Sequence, residues 1–313
     1  MTIPTQLIAQ LPSKKILATA LASLMFSLVS CQSANQPSRD KPKVVSTSTI
    51  LADLVTQVGG EKIEHKGILP PGADPHVYEP RPQDTIALEE ADLIFYNGYN
   101  LEPAIIKLIK ATGIRAIKSP VGEVVKPLNL TYQGQTQPDP HVWGDVENAI
   151  AMVEEIEKQL SQLSPQEREI FAANAAKLIE ELEKLDIWIE KQIQTIPPAR
   201  RKLVTTHDAF QYYAQAYGLE IIGTLIGIST EEQPSAQTVK NLTEAVKRAK
   251  VPAIFAETTI NPQLITTVAK EAQVKLAPRQ LYSDSLSAPG KEADTYIKMQ
   301  QTNTQTIVEA LSE

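Results

Sequence analysis

A single cysteine, Cys31, occurs in 313 residues, so the chain has no internal disulfide and no thiolate cluster to hold a metal. Glycine is scarce, at 13 residues. Neither G-x-G-x-x-G nor G-x-x-x-x-G-K-[ST] is present, which argues against nucleotide sites of those types. Positive charge is not in excess: 30 Lys and Arg stand against 37 Asp and Glu, for a net −7. A nucleic-acid-binding face is therefore not expected. H-E-x-x-H, the helical pattern of zinc hydrolases, is also missing. Aromatics are few, yet an apolar content of 42% in a chain of this length is enough for the cores of two ordinary domains.

The one long uncharged apolar run, Ile16–Ser30, follows Lys14-Lys15 and is too short for a typical spanning helix. A charged start followed by such a run is a signal peptide, residues 1–30. The run ends in Leu28-Val29-Ser30-Cys31, a lipobox. The placement of the sole thiol is explained by thioether lipidation of Cys31 with cleavage before it. Several acyl chains anchor stably where one does not. Cleavage removes two lysines and no acid, leaving a net charge of about −9. Residues 31–42 are polar and proline-containing and read as a tether.

From residue 43 onwards, short β-branched runs alternate with helical patterns, which implies βαβ units and a parallel sheet. The alternation breaks after His141 and resumes at Lys202. Between lies one long helical stretch, 165–195, with Pro165 near its start and Pro197-Pro198 past its end. Ile170, Ala173, Ala176, Leu178, Leu182, Leu185 and Ile189 are its expected apolar face. The organisation predicted is an α/β lobe over 43–164, a linking helix over 165–195 and a second α/β lobe over 196–313.

Only four histidines are present, and two share one setting: Asp74-Pro75-His76-Val77 returns as Asp139-Pro140-His141-Val142. Proline before each histidine restricts the backbone and stiffens a loop carrying an imidazole. Open α/β sheets bind ligands outside the carboxyl ends of their strands. His76, His207 and Asp284 follow predicted strands, and His141 sits in a loop returning to the helix at 145. These four are the candidate metal ligands. His65 lies mid-strand with no motif and reads as structural. Asp74, Asp139 and Asp208 read as supporting groups, Asp208 as a helix cap. Trp143, Phe210, Tyr212 and Tyr213 read as packing around the site. Neutral imidazoles are required for ligation, so binding should fade as the pH falls through the ordinary histidine value of about 6.5.

The segments "GADPHVYEP", "DPHVWGD", "TTHDAFQYYAQAYGL" and "QLYSDSLSAPGKEADTYIKMQQTNTQTI", in this order around a long helix, resemble the TroA-like (cluster A-I) metal-binding lipoproteins of bacterial ABC importers. The likeness spans nearly all of the mature chain. It implies two (βα)4-type lobes with parallel sheets joined by one long backbone helix, and a metal site between the lobes built from His76, His141, His207 and Asp284. It also implies a monomer, extracytoplasmic and lipid-anchored to the membrane, that delivers a divalent ion to ABC permease subunits.

Three imidazoles and one carboxylate suit Mn2+, Zn2+ or Fe2+ and do not suit Cu+. Some manganese-binding members of the family have glutamate where this chain has His207. Many zinc-binding members carry a His- or acid-rich loop between the first two ligands, and 119–138 has none. "STEEQPSAQT" (229–238) and "QLYSDSLS" (280–287) look like the manganese members. Mn2+ is the favoured cargo, with Zn2+ or Fe2+ as alternatives. A lipid-anchored metal-dependent hydrolase would need an open coordination position and a base; a fourth protein ligand closes that position, and the chain is not read as an enzyme. An adhesin role would coexist with metal binding.

The lipidation reading makes the first prediction. Wild-type protein should partition into the detergent phase, and Cys31→Ala should move it to the aqueous phase. Wild-type protein found wholly in the aqueous phase would refute the anchor.

Overall fold

The computed structural model describes residues 2, 41–111, 115–132 and 135–312. Cys31, the tether as far as Asp40 and the expected leader (apart from residue 2) lie outside the described residues. Lys41–Glu313 is one compact unit. None of the described helices is long and apolar enough to cross a membrane.

The first lobe is built on β1 (Lys43–Ser46), β2 (Glu64–Gly67), β3 (Leu93–Tyr96) and β4 (Ile117–Pro120). They form an all-parallel sheet in the order β2-β1-β3-β4. The crossovers carry α1 (Thr49–Gly59), α2 (Pro82–Glu90) and α3 (Pro103–Ala111). The second lobe repeats the pattern with β7 (Lys202–Thr205), β8 (Glu220–Thr224), β9 (Ala253–Ile254) and β10 (Lys275–Leu276), and with α6 (Gln211–Tyr217), α7 (Ala236–Ala249) and α8 (Gln263–Ala272). Here β7 pairs with β8 and β9 with β10, both parallel. Phe255 N–H donates to Val204 O at 2.9 Å and ties the two pairs together. Between the lobes come a hairpin, β5 (Asn129–Tyr132) and β6 (Gln135–Pro138), then α4 (Val146–Leu163) and α5 (Arg168–Gln194); α9 (Tyr296–Ser312) closes the chain. The hairpin was not expected from the sequence. Its strands are polar and its loop lacks a strong turn dipeptide, so neither periodicity nor turn chemistry marks it.

Strand side chains alternate between faces, and the alternation assigns the cores. Val44, Leu93, Phe95, Leu203, Ala253 and Phe255 point into one large cluster with α1, α4, α5, α6 and α9. Their neighbours Val45 and Ile94 face an outer cluster under α2 and α3. Val204 and Ile254 face the other outer cluster, under α7 and α8. Each sheet thus has its own outer layer, while the inner faces of both share a single core. That shared core is what holds the lobes in register.

At 27 residues, α5 is about 40 Å long. A 3-10 turn over Pro165–Glu167 precedes it, so the α-helix starts three residues later than the sequence suggested. Its buried face is Phe171, Ala175, Leu178, Leu182, Leu185, Ile189 and Ile193. This corrects the expected face in its first half: Ile170 is 40% exposed, and Ala173 and Ala176 are also exposed. The expected run stepped by three, which drifts around a helix of 3.6 residues per turn; the observed steps of three and four do not. The two assignments make opposite predictions. Phe171→Ala, buried only in the observed face, should cost about 3–5 kcal/mol in urea unfolding, whereas Ile170→Ala should stay within about 0.5 kcal/mol. Equal losses would contradict the observed face.

Candidate metal site

Each site residue is placed by a strand end or a capped turn. His76 follows β2 through Pro70–Pro75. Its N–H donates to Asp74 Oδ1 at 2.9 Å, closing an Asx turn around Pro75. His141 follows β6, and Asp139 Oδ1 accepts its N–H at 3.0 Å. Asp145 then caps α4, accepting from Glu147 N–H at 2.9 Å, so the His141 turn is fixed at both ends. Asn97, just past β3, donates its side-chain amide to Pro140 O at 2.9 Å and steadies the same turn. His207 lies two residues beyond β7. Asp284 follows the stretch pinned to β9 by the parallel bridge between Glu257 and Leu281.

These four come together. One donor atom from each lies within 4.8 Å of the others. His76 Nε2 is 3.2 Å from His141 Nε2. Asp284 Oδ1 is 3.4 Å from His141 Nε2, and Asp284 Oδ2 is 3.2 Å from His207 Nε2. Tetrahedral bonds of about 2.0–2.2 Å to one ion would place donors about 3.3–3.6 Å apart; these three separations lie close to that range, and the full set of four donors lies within 4.8 Å. Relative exposure is 5% for His76, 0% for His141, 0% for His207 and 1% for Asp284. Both Asp284 oxygens and His207 Nε2 nonetheless lack a hydrogen-bond partner. A buried carboxylate with two unpartnered oxygens beside an unpartnered imidazole nitrogen is a donor set that fits a divalent cation.

Two of the imidazoles are anchored by carboxylates on their far side. Nδ1 of His141 is 2.7 Å from Asp139 Oδ1, and Nδ1 of His207 is 2.5 Å from Glu257 Oε2. Carboxylates only accept, so each Nδ1 carries the proton and each Nε2 is turned inward. Glu257 Oε1 also accepts the N–H groups of Thr206 and His207, both at 2.8 Å. His65 sits apart, in β2, between Ser46 Oγ (2.8 Å) and Thr56 Oγ1 (2.9 Å), a histidine satisfied by its own lobe.

The family model described as zinc-uptake complex component A, periplasmic (ZnuA) matches residues 44–310. The chain belongs to this family. It is 35% identical over 310 residues to the metal ABC transporter substrate-binding lipoprotein FimA of Streptococcus parasanguinis, covering 96% of this chain and 100% of that one. To the manganese ABC transporter substrate-binding lipoprotein PsaA of Streptococcus pneumoniae it is 34% identical, with the same coverage. Among solved structures, the periplasmic zinc binding protein TroA of Treponema pallidum aligns with a TM-score of 0.83 at 33% identity, covering 87% of this chain and 100% of that one. The TroA-like fold expected from the sequence is therefore the one observed.

Sequence reasoning missed Glu257 and Asn97 within this ZnuA-family site. Glu257 had a usable signal, since it lies at the carboxyl end of the apolar run Val251–Ala256, where the placement rule for sites applies. Asp208 was expected to cap α6. Instead Phe210 occupies the cap position and Asp208 accepts the Gln211 side-chain amide at 2.7 Å. The aromatics pack as expected: Trp143 Nε1–H donates to Ser283 O at 3.0 Å, and Tyr212 O–H to Asp139 O at 2.9 Å.

Charge partners divide the imidazoles electrostatically. Burial alone would push all three down. For His76 it does, to about 3. At His141 burial is overcome by the Asp139 and Asp284 carboxylates, which lift it to about 9. At His207 burial is likewise outweighed, by Glu257 and Asp284, and it rises well above 6.5. For Asp284 burial acts upwards, yet His207 and His141 hold it well below the usual range. The carboxylates thus favour the protonated form of His141 and His207 in the metal-free site, whereas burial favours neutral His76. This moves the pH window above the expected 6.5. A metal must displace the inward Nε2 protons, so binding at pH 7.5 should release about two protons and tighten as the pH rises towards 9. Calorimetry in buffers of different ionisation enthalpy reads the release directly. No proton release would contradict the assigned charge states.

Proposed function

We propose that the chain is the binding protein of an ABC importer, capturing one divalent metal ion outside the membrane through His76, His141, His207 and Asp284 and delivering it to membrane permease subunits. The observation that supports this most directly is the buried three-imidazole, one-carboxylate cluster whose inward atoms lack partners. Four protein donors leave no coordination position for an attacking water, which favours a carrier over a metal-dependent hydrolase. We read 43–164 and 196–313 as the two lobes, 165–195 as their link, 1–30 as the leader and 31–42 as a tether from lipidated Cys31, with the protein acting as an anchored monomer.

Mn2+ is the proposed cargo. PsaA is named as a manganese ABC transporter lipoprotein, and MntA of Halalkalibacterium halodurans, 34% identical over 272 residues, as a manganese-binding lipoprotein. The name of TroA specifies zinc, and Zn2+ is the alternative reading. Intrinsic affinity of such a nitrogen-rich site follows the order Mn2+ below Zn2+, so manganese delivery would depend on availability and geometry.

Metal analysis of protein purified without added metal tests the cargo; zinc alone, from cells supplied with both ions, would overturn manganese. Titration should give one ion per chain. Alanine at any of the four ligands should weaken binding by more than about a hundredfold, and His65→Ala by less than about twofold. Equal damage from His65→Ala and His76→Ala would refute the ligand set.

A further inference from the structure

The two Asp-Pro-His-Val segments are alike in sequence and differ in what their aspartates do. Asp139 spends one oxygen on both His141 N–H and His141 Nδ1, so that mount is complete within its own loop. Asp74 Oδ1 accepts only the N–H of His76. Its other oxygen, Oδ2, accepts Thr230 O–H at 2.6 Å, and Thr230 belongs to the loop between β8 and α7 in the opposite lobe. Among the described residues no carboxylate anchors the His76 ring as Asp139 and Glu257 anchor the other two. His76 is also the site residue that borders an open cavity, of about 530 Å³, whose walls include Tyr96, Tyr99 and Glu123 from one lobe and Ser229 and Glu231 from the other. Ser229 and Glu231 flank Thr230 in the chain, while Thr230 and Asp74 themselves line a second cavity, of about 440 Å³.

We propose that Thr230 is a positioning residue for His76: its hydrogen bond to Asp74 latches the His76 loop to the second lobe, and release of that bond lets the ion leave through the cavity beside His76. This rests on the metal-binding reading above. His141 and His207 are held by buried carboxylates, whereas the His76 loop is tied to the second lobe by hydrogen bonds alone: Gly72 N–H to Ser285 Oγ and Leu286 O near the start of the loop, and, next to His76 itself, the half-buried Thr230 hydroxyl to Asp74. A carrier that must bind and later release its ion needs one ligand that yields before the rest, and His76 is the one so built.

The test is the release of Zn2+ from the loaded protein into excess chromogenic chelator, followed by stopped flow. Thr230→Val and Thr230→Ala, which remove the hydroxyl, should release the ion about tenfold faster, the scale of losing a partner behind a ligand. Thr230→Ser, which keeps the hydroxyl, should stay within about twofold of wild type, and association rates should change little in all three. Release rates alike in all four proteins would overturn the latch, as would Thr230→Ser releasing as fast as Thr230→Val. Association slowed in proportion would show general damage to the site and would also overturn it. A wild-type protein that takes up no Zn2+ would instead refute the metal-binding reading itself, and this inference with it.

Discussion

Burying a carboxylate without a hydrogen bond costs more than the roughly 1–3 kcal/mol of a neutral unpartnered group. Asp284 is buried with both oxygens in that state, and only the imidazoles facing it offset the cost. Much else follows from this one arrangement. It favours positive charge near it: its carboxylate raises the proton affinity of His141 and His207, and a divalent ion would supply the same compensation in the protons' place. Asp139 and Glu257 make that exchange possible: they keep each Nδ1–H turned outward, so that loss of a proton from Nε2 leaves a lone pair aimed at the centre.

The cluster can exist only if two lobes present their strand ends to one another with sub-ångström consistency. Among the described residues the strands of the two lobes do not pair with one another, so sheet pairing does not enforce this. The shared core does it. Inner-face residues of both sheets pack against α4, α5 and α9 in a single continuous cluster, so a rotation of one lobe against the other would have to break close packing rather than slide over a polar interface. This ties the long helix to function. Its buried face of alternating three- and four-residue steps is the seam along which both lobes are fixed.

Against that frame, the His76 side has the fewest anchors behind its ligand. Its loop crosses from β2 to α2 with four prolines, which restrict its backbone, and with Gly72 at φ 79°, a left-handed turn conformation suited to glycine. Its contacts to the second lobe are individual hydrogen bonds: Gly72 N–H to Ser285 Oγ at 2.8 Å, and Asp74 to Thr230. A rigid three-point cradle of His141, His207 and Asp284 with one softer ligand is a reasonable division of labour for a carrier.

The sequence by itself determined the parts with a short-range signature. Strand and helix alternation was legible because β-branched runs and 3.6-residue periods are local, and the four candidate ligands because histidine is rare and a repeated Asp-Pro-His-Val is conspicuous. The α5 face was misread where Ile170 and Ala173 mimic a stripe that only packing against α4 and α9 resolves in favour of Phe171 and Ala175. Glu257 and Asn97 went unseen, since an acid or amide is common and acquires a role only from what lies opposite it. Tertiary structure alone decided that the two matching aspartates act differently. Asp74 and Asp139 are each followed by Pro-His-Val, and what separates their roles is Thr230, 156 residues away from Asp74 along the chain and 2.6 Å away in space. A hydrogen bond depends on distance and direction between groups, and no local pattern encodes those for residues that only folding brings together.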